Sequence, residues 1–141
     1  MKKFACYLLY TLLLAAIACA CSDNLDIKQS YEFKVTHLPV PQKLKKGETV
    51  EIRFELERSG RYENTKYFFR YFQFQGDGRL AMDDGTVFLP NDYYDLERET
   101  FRMYYTSLSE ERQEFEIYWF DNMGNAGVSG FSFNNDSSEG Q

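Results

Sequence analysis

The chain has 141 residues, 16 Lys and Arg against 22 Asp and Glu, one His, three Cys, 13 Phe, 11 Tyr and one Trp. One histidine, and cysteines confined to the first 21 residues, exclude a His cluster, a zinc knuckle or a disulfide framework in the body. The net charge of −6 points away from a phosphate-backbone binder, more so once Lys2 and Lys3 leave with a processed N-terminus.

Lys2 and Lys3 precede an apolar run, Phe4 to Ala20, that reads as a cleaved export signal over residues 1–20. Small residues lead into Cys19-Ala20-Cys21-Ser22-Asp23, a junction that resembles a bacterial lipobox. Cys21 is the better lipid acceptor, because cleavage there leaves a polar start, whereas Cys19 would keep two apolar residues ahead of it. Two or three acyl chains on that cysteine would hold the protein at a membrane permanently. Residues 21–30 read as a tether whose only apolar positions are Leu25 and Ile27.

From residue 31 the periodicity is two. Tyr31, Phe33 and Val35 alternate with Glu32, Lys34 and Thr36, and Pro39 and Pro41 confine this strand to a sheet edge or a switch between sheets. Lys45 to Glu48 makes a turn into Thr49–Arg58, where Val50, Ile52, Phe54 and Leu56 alternate with charged residues. Tyr67 to Phe74 is apolar on both faces, so a central strand is expected, covered on one side by the opposite sheet and on the other by long side chains or a loop. Gly76-Asp77-Gly78 and Asp83-Asp84-Gly85 bracket a strand at Arg79 to Met82, and Thr86 to Leu89 follows. Phe101 to Tyr105 and Phe115 to Trp119 alternate again, joined by a segment in which Ser107 and Glu110 are placed to cap one helical turn. The turn Asp121 to Asn125, with Gly124 expected left-handed, leads to Val128, Phe131 and Phe133; their broken parity predicts a bulge at Gly130. The polar residues from Asn134 onward read as a frayed end. The fold class is therefore all-β: an immunoglobulin-like sandwich of seven to eight antiparallel strands over residues 31–135, behind a lipoprotein signal and ahead of a disordered tail at 136–141.

His37 reads as a packing or rim residue, since neither a partner acid nor a nucleophile motif accompanies it. Asp77, Asp83, Asp84, Asp92 and Asp95 lack the spacing of a calcium loop and read as turn residues, so no metal and no cofactor is expected. Tyr93 and Tyr94 cannot both point inward, and an exposed ring beside Asp92, Asp83 and Asp84 makes these five the candidate interaction surface. A partner strand added at the Arg79–Leu89 edge is the other expected contact. No acid, base and nucleophile set is placed for catalysis, so neither an enzyme nor a small-molecule substrate is expected.

Arg70-Tyr71-Phe72-Gln73, the block Met82 to Asp92 (MDDGTVFLPND) and Phe101 to Thr106 resemble the TraQ-type lipoproteins of Bacteroidetes conjugative transposons. Leu38 to Pro41, Lys46 to Ile52 and Phe131 to Asn135 fit the same family. The resemblance implies a non-enzymatic accessory of the conjugation apparatus, with proteins of that apparatus as partners and no direct contact with nucleic acid. It implies residence in the cell envelope, lipid-anchored at the outer rather than the inner membrane. The competing expectation is a surface glycan-binding or adhesive module in which tyrosine rings platform a sugar.

Overall fold

A computed structural model describes residues 2–18, 31–61 and 63–137. The apolar N-terminal run, rich in Leu and Ala and free of Gly and Pro, forms helix α1 (Lys2–Ala18). No helix among the described residues is long and apolar enough to cross a membrane. Cys19, Cys21 and the tether lie outside the described residues.

The body is built of ten strands: β1 (Phe33–His37), β2 (Lys43–Leu44), β3 (Thr49–Arg58), β4 (Tyr67–Gln75), β5 (Gly78–Met82), β6 (Val87–Phe88), β7 (Tyr94–Leu96), β8 (Thr100–Ser107), β9 (Gln113–Asp121) and β10 (Ala126–Asn135). They form two five-stranded sheets, in the orders β1-β3-β8-β5-β6 and β2-β10-β9-β4-β7. Ten replaces the expected seven to eight because β2 and β7, of two and three residues, are too short to show alternation. Nor is every pairing antiparallel: β2 runs parallel to β10, through Asn134 opposite Lys43 and Asn135 opposite Leu44. The prolines explain this, since the chain leaves β1 at the edge of the first sheet, passes Pro39 and Pro41 without pairing, and joins the edge of the second. Asn134 and Asn135 thereby become strand.

The alternation of β3 is realised without a fault: Val50, Ile52, Phe54 and Leu56 are buried and Glu51, Arg53, Glu55 and Glu57 are outward. Inner residues of β4, β8, β9 and β10 complete the core. Phe54 stands at its centre, with ring centroids 5.2 Å from Phe101, 5.3 Å from Trp119 and 5.9 Å from Phe131. Such ring pairs contribute about 0.5–1.5 kcal/mol each beyond area burial.

Two local expectations are corrected. No bulge occurs at Gly130, because β10 keeps continuous register with β9 and Ser129, not Val128, takes the inward position. Trp119 explains the choice: its buried Nε1–H donates to Ser129 Oγ at 2.9 Å. The bulge lies instead between Gln73 and Gln75 of β4. There Tyr105 Oη donates to Gln113 Oε1 at 2.7 Å, with Gln73 Oε1 at 3.0 Å as the alternative acceptor. Burial pushes the Tyr105 phenol up to about 12. Finally, Ser107 ends β8 and its hydroxyl donates to Ser109 O at 3.0 Å, and residues 109–111 form bends rather than a helical turn. Gly124 does take the left-handed conformation, at φ 92°, in a turn organised by Asp121, whose Oδ1 accepts from the N–H groups of Met123 and Asn125.

Candidate functional site: an aromatic face on the second sheet

The two outer faces differ in chemistry. On the first sheet, Arg53 and Arg102 stand opposite one another across β3 and β8, and Glu51 bridges them at 2.6 and 3.7 Å. The hydrogen bond from Arg53 holds the Glu51 carboxyl below the usual range. Around this cluster the face is charged and hydrated, with Lys34, Glu55, Glu57 and Arg79 exposed.

The second sheet turns aromatic rings outward. Alternation that buries Phe69 and Tyr71 of β4 must point Phe68, Arg70, Phe72 and Phe74 away from the core, and β9 likewise presents Glu116, Tyr118 and Phe120. Register then sets Phe68 against Phe120, Arg70 against Tyr118 and Phe72 against Glu116. Phe68 and Phe120 stack at 5.5 Å and 20°, while Phe72 and Tyr118 meet edge to face at 6.0 Å and 89°. Tyr93, from the turn before β7, adds its ring at 5.7 Å from Phe68 and 6.0 Å from Phe120. Val128 of β10, opposite Tyr118, extends the apolar surface. Phe74, Tyr93 and Val128 are 59, 59 and 60% exposed, which marks the patch as open surface.

Arg70 lies at the centre. Its guanidinium carbon is 5.2 Å from the Phe72 centroid, 5.3 Å from Tyr93 and 6.0 Å from Tyr118, three cation–π contacts on one side chain. Nη1 donates to Asn91 Oδ1 at 3.3 Å, and Nε is buried without a hydrogen-bond partner. The Tyr118 hydroxyl donates to Glu116 Oε2 at 2.5 Å, and that bond raises the Tyr118 phenol above its ordinary range.

Of the residues singled out by sequence, Tyr93 belongs to this face. Tyr94 does not: it begins β7, its half-buried ring packs 4.6 Å from Phe88, and its hydroxyl accepts from Leu89 N–H at 2.8 Å. Asp92 is an exposed residue of the same turn, its N–H 3.4 Å from Leu89 O. Asp83 and Asp84 occupy the β5–β6 turn of the other sheet. Asp83 accepts from Arg98 at 2.5 Å, which holds its carboxyl low, and Asp84 Oδ1 accepts from Thr86 N–H at 2.9 Å, which lowers it likewise. The five residues are thus distributed over turns of both sheets and the start of β7. His37 is exposed and holds its ring 4.7 Å from Phe131 at a tilt of 47°, at the rim of the core. Among the described residues, no three His, Cys, Asp or Glu side chains converge as a metal site. A cleft of about 400 Å³ beside Arg58, Lys66, Tyr67, Asp95 and Glu97 carries mixed charge. At its margin Arg58 is already paired with Glu99.

Two sheets over an aromatic core, one outer face charged and the other aromatic around an arginine, define a class: a small all-β two-sheet module. The chain belongs to the TraQ conjugal transfer family, whose model matches residues 3–136. It is similar to a conjugative transposon lipoprotein from Bacteroides eggerthii at 51% identity, over 75% of this chain and 100% of that one, with TM-score 0.70. It is similar also to a lipoprotein from Bacteroides thetaiotaomicron, at 58% identity over 82 and 89% with TM-score 0.70. A third relative is a conjugate transposon protein from Bacteroides vulgatus, at 43% identity over 84 and 97% with TM-score 0.68. No curated protein matches significantly.

Proposed function

We propose that this protein is a lipid-anchored, non-enzymatic interaction component of the DNA-transfer apparatus of a conjugative transposon. The observation that carries the reading is the family match over residues 3–136, joined by a relative named as a conjugative transposon lipoprotein. Acylation at Cys21 provides the anchor, with the outer membrane as its site, and the β domain contacts other transfer proteins. Its acidic balance, 22 acidic against 16 basic residues, argues for protein rather than DNA as the partner.

The domain is immunoglobulin-like in this reading. β1, β3, β8 and β5 stand in the order A, B, E, D of that fold, and β4, β9 and β10 in the order C, F, G. β2 has the place of a first strand split between sheets. The departure is β7, which follows β5 in the chain yet pairs with β4.

Deleting the reading frame in a donor that carries the element, complementing in trans and counting transconjugants per donor tests the role. A complemented loss of transfer supports it, and undiminished transfer refutes it. Cys21→Ala should move the protein from membrane to soluble fractions; membrane-bound, acyl-labelled Cys21→Ala protein would refute the anchor.

A further inference from the structure

We propose that the aromatic face of the second sheet docks a protein segment that sets a carboxylate against Arg70 between apolar side chains. The inference rests on the reading of this chain as an interaction component and names the chemistry of its partner.

Charge is the first argument. Arg53, Arg58, Arg61, Arg98, Arg102 and Arg112 each meet a carboxylate within 4 Å; of the two arginines that meet none among the described residues, Arg79 is an exposed strand residue, whereas Arg70 is half-buried among the rings. In an acidic protein an arginine is readily paired, and here it is held instead over three rings, with its single hydrogen bond at 3.3 Å to a neutral amide. The rings pre-order the guanidinium, so a partner's carboxylate meets donors whose orientation is already set.

Size is the second. Three strands about 4.8 Å apart, and seven residues of β4 at about 3.3 Å each, give a face of roughly 14 by 23 Å, about 300 Å². That equals the functional patches of monomeric proteins but is less than half the area per partner of a standard stable interface. The contact is thus a reversible one.

Ring geometry decides against a sugar. Phe68 and Phe120 lie nearly parallel, but Phe72 and Tyr118 are perpendicular, and Tyr93 is tilted 59° from Phe120. The face is corrugated, not a coplanar platform; of its carboxylates, Glu116 is occupied by Tyr118, and Asp95 stands at the β7 margin opposite Phe68. Aromatic residues around an arginine are the composition of protein hot spots.

The test uses the full-length chain in mating donors, with the photo-crosslinker p-benzoylphenylalanine introduced at Val128 and adducts identified after irradiation. The expected result is an adduct to a transfer protein whose cross-linked segment contains Asp or Glu. Its yield should fall about tenfold to a hundredfold with Arg70→Gln, as loss of a charge-assisted hydrogen bond requires. Tyr93→Ser, which leaves the arginine in place, should lower it as well, with Trp119 fluorescence unchanged in both. Arg70→Glu should recover when the partner's acid is replaced by Lys. An adduct to lipid, glycan or a second copy of this chain, an adduct indifferent to Arg70→Gln, or no adduct overturns the proposal. If gene deletion leaves transfer unchanged, the conjugative reading fails separately; if deletion abolishes transfer while the adduct ignores Arg70, docking alone fails.

Discussion

Gly78→Ala should be among the most damaging single-atom changes available in this domain. An added Cβ would stand 2.0 Å from Tyr105 Oη, 2.3 Å from Cζ and 2.6 Å from Cε2. Gly78 lies outside the left-handed region, so the cost is steric. The tyrosine has no room to retreat: it is fully buried, stacked 4.2 Å from Phe115 and 5.8 Å from Phe133, and its hydroxyl is held by Gln113. Overpacking of this kind costs about 1–3 kcal/mol. Displacing the ring also forfeits a buried hydrogen bond, roughly 1 kcal/mol more. The sum is about 2–4 kcal/mol, a large fraction of the stability of a small domain. Gly127→Ala is the control, since nothing lies within 4 Å of its added Cβ; it should be neutral or stabilise by up to about 1 kcal/mol. Urea unfolding followed by the fluorescence of the single tryptophan, Trp119, measures both. A Gly78→Ala midpoint within about 0.5 kcal/mol of the parent would refute the packing argument.

Ser129→Ala should cost about 1–3 kcal/mol by leaving the Trp119 indole N–H buried and unpaired, and the same urea titration checks it. Wild-type stability would show that water or another acceptor replaces the hydroxyl. The Tyr105 phenol, raised to about 12 in the fold from an ordinary 10.0, predicts alkaline sensitivity. Below pH 10 both states keep the proton; between pH 10 and about 12 the unfolded chain ionises first, so stability falls as pH rises. Tyr105→Phe should flatten that stretch of the urea-midpoint profile, and an unchanged slope would assign the loss to other groups.

The long strands were legible because each has one buried face: the period of two in Thr49–Arg58 survives intact in β3. The aromatic face was half legible. Tyr67 to Phe74 showed apolar residues on both sides, and the outer half is indeed occupied by long side chains, yet it remains partly open rather than covered. That Phe68 would stack on Phe120, and that Arg70 would sit opposite Tyr118, depends on the register of β4 against β9. Register is a property of the assembled sheet, so sequence reasoning missed Arg70; an arginine inside an otherwise aromatic strand was the available signal. That Asp83 and Asp84 lie at a turn of the first sheet and Tyr93 beside a strand of the second was hidden for the same reason. At Ser129 periodicity misled because Val128 is the more apolar neighbour, while the indole N–H needed an oxygen opposite it.

The most direct test of the central claim, that the aromatic face is the working surface of a transfer protein, is complementation of the deleted donor with the Arg70→Gln, Tyr93→Ser double variant. The variant should accumulate in the envelope at the parental level with parental Trp119 fluorescence, and yet leave transconjugants per donor near the level of the deletion. Transfer restored to the parental frequency by that variant would contradict the account.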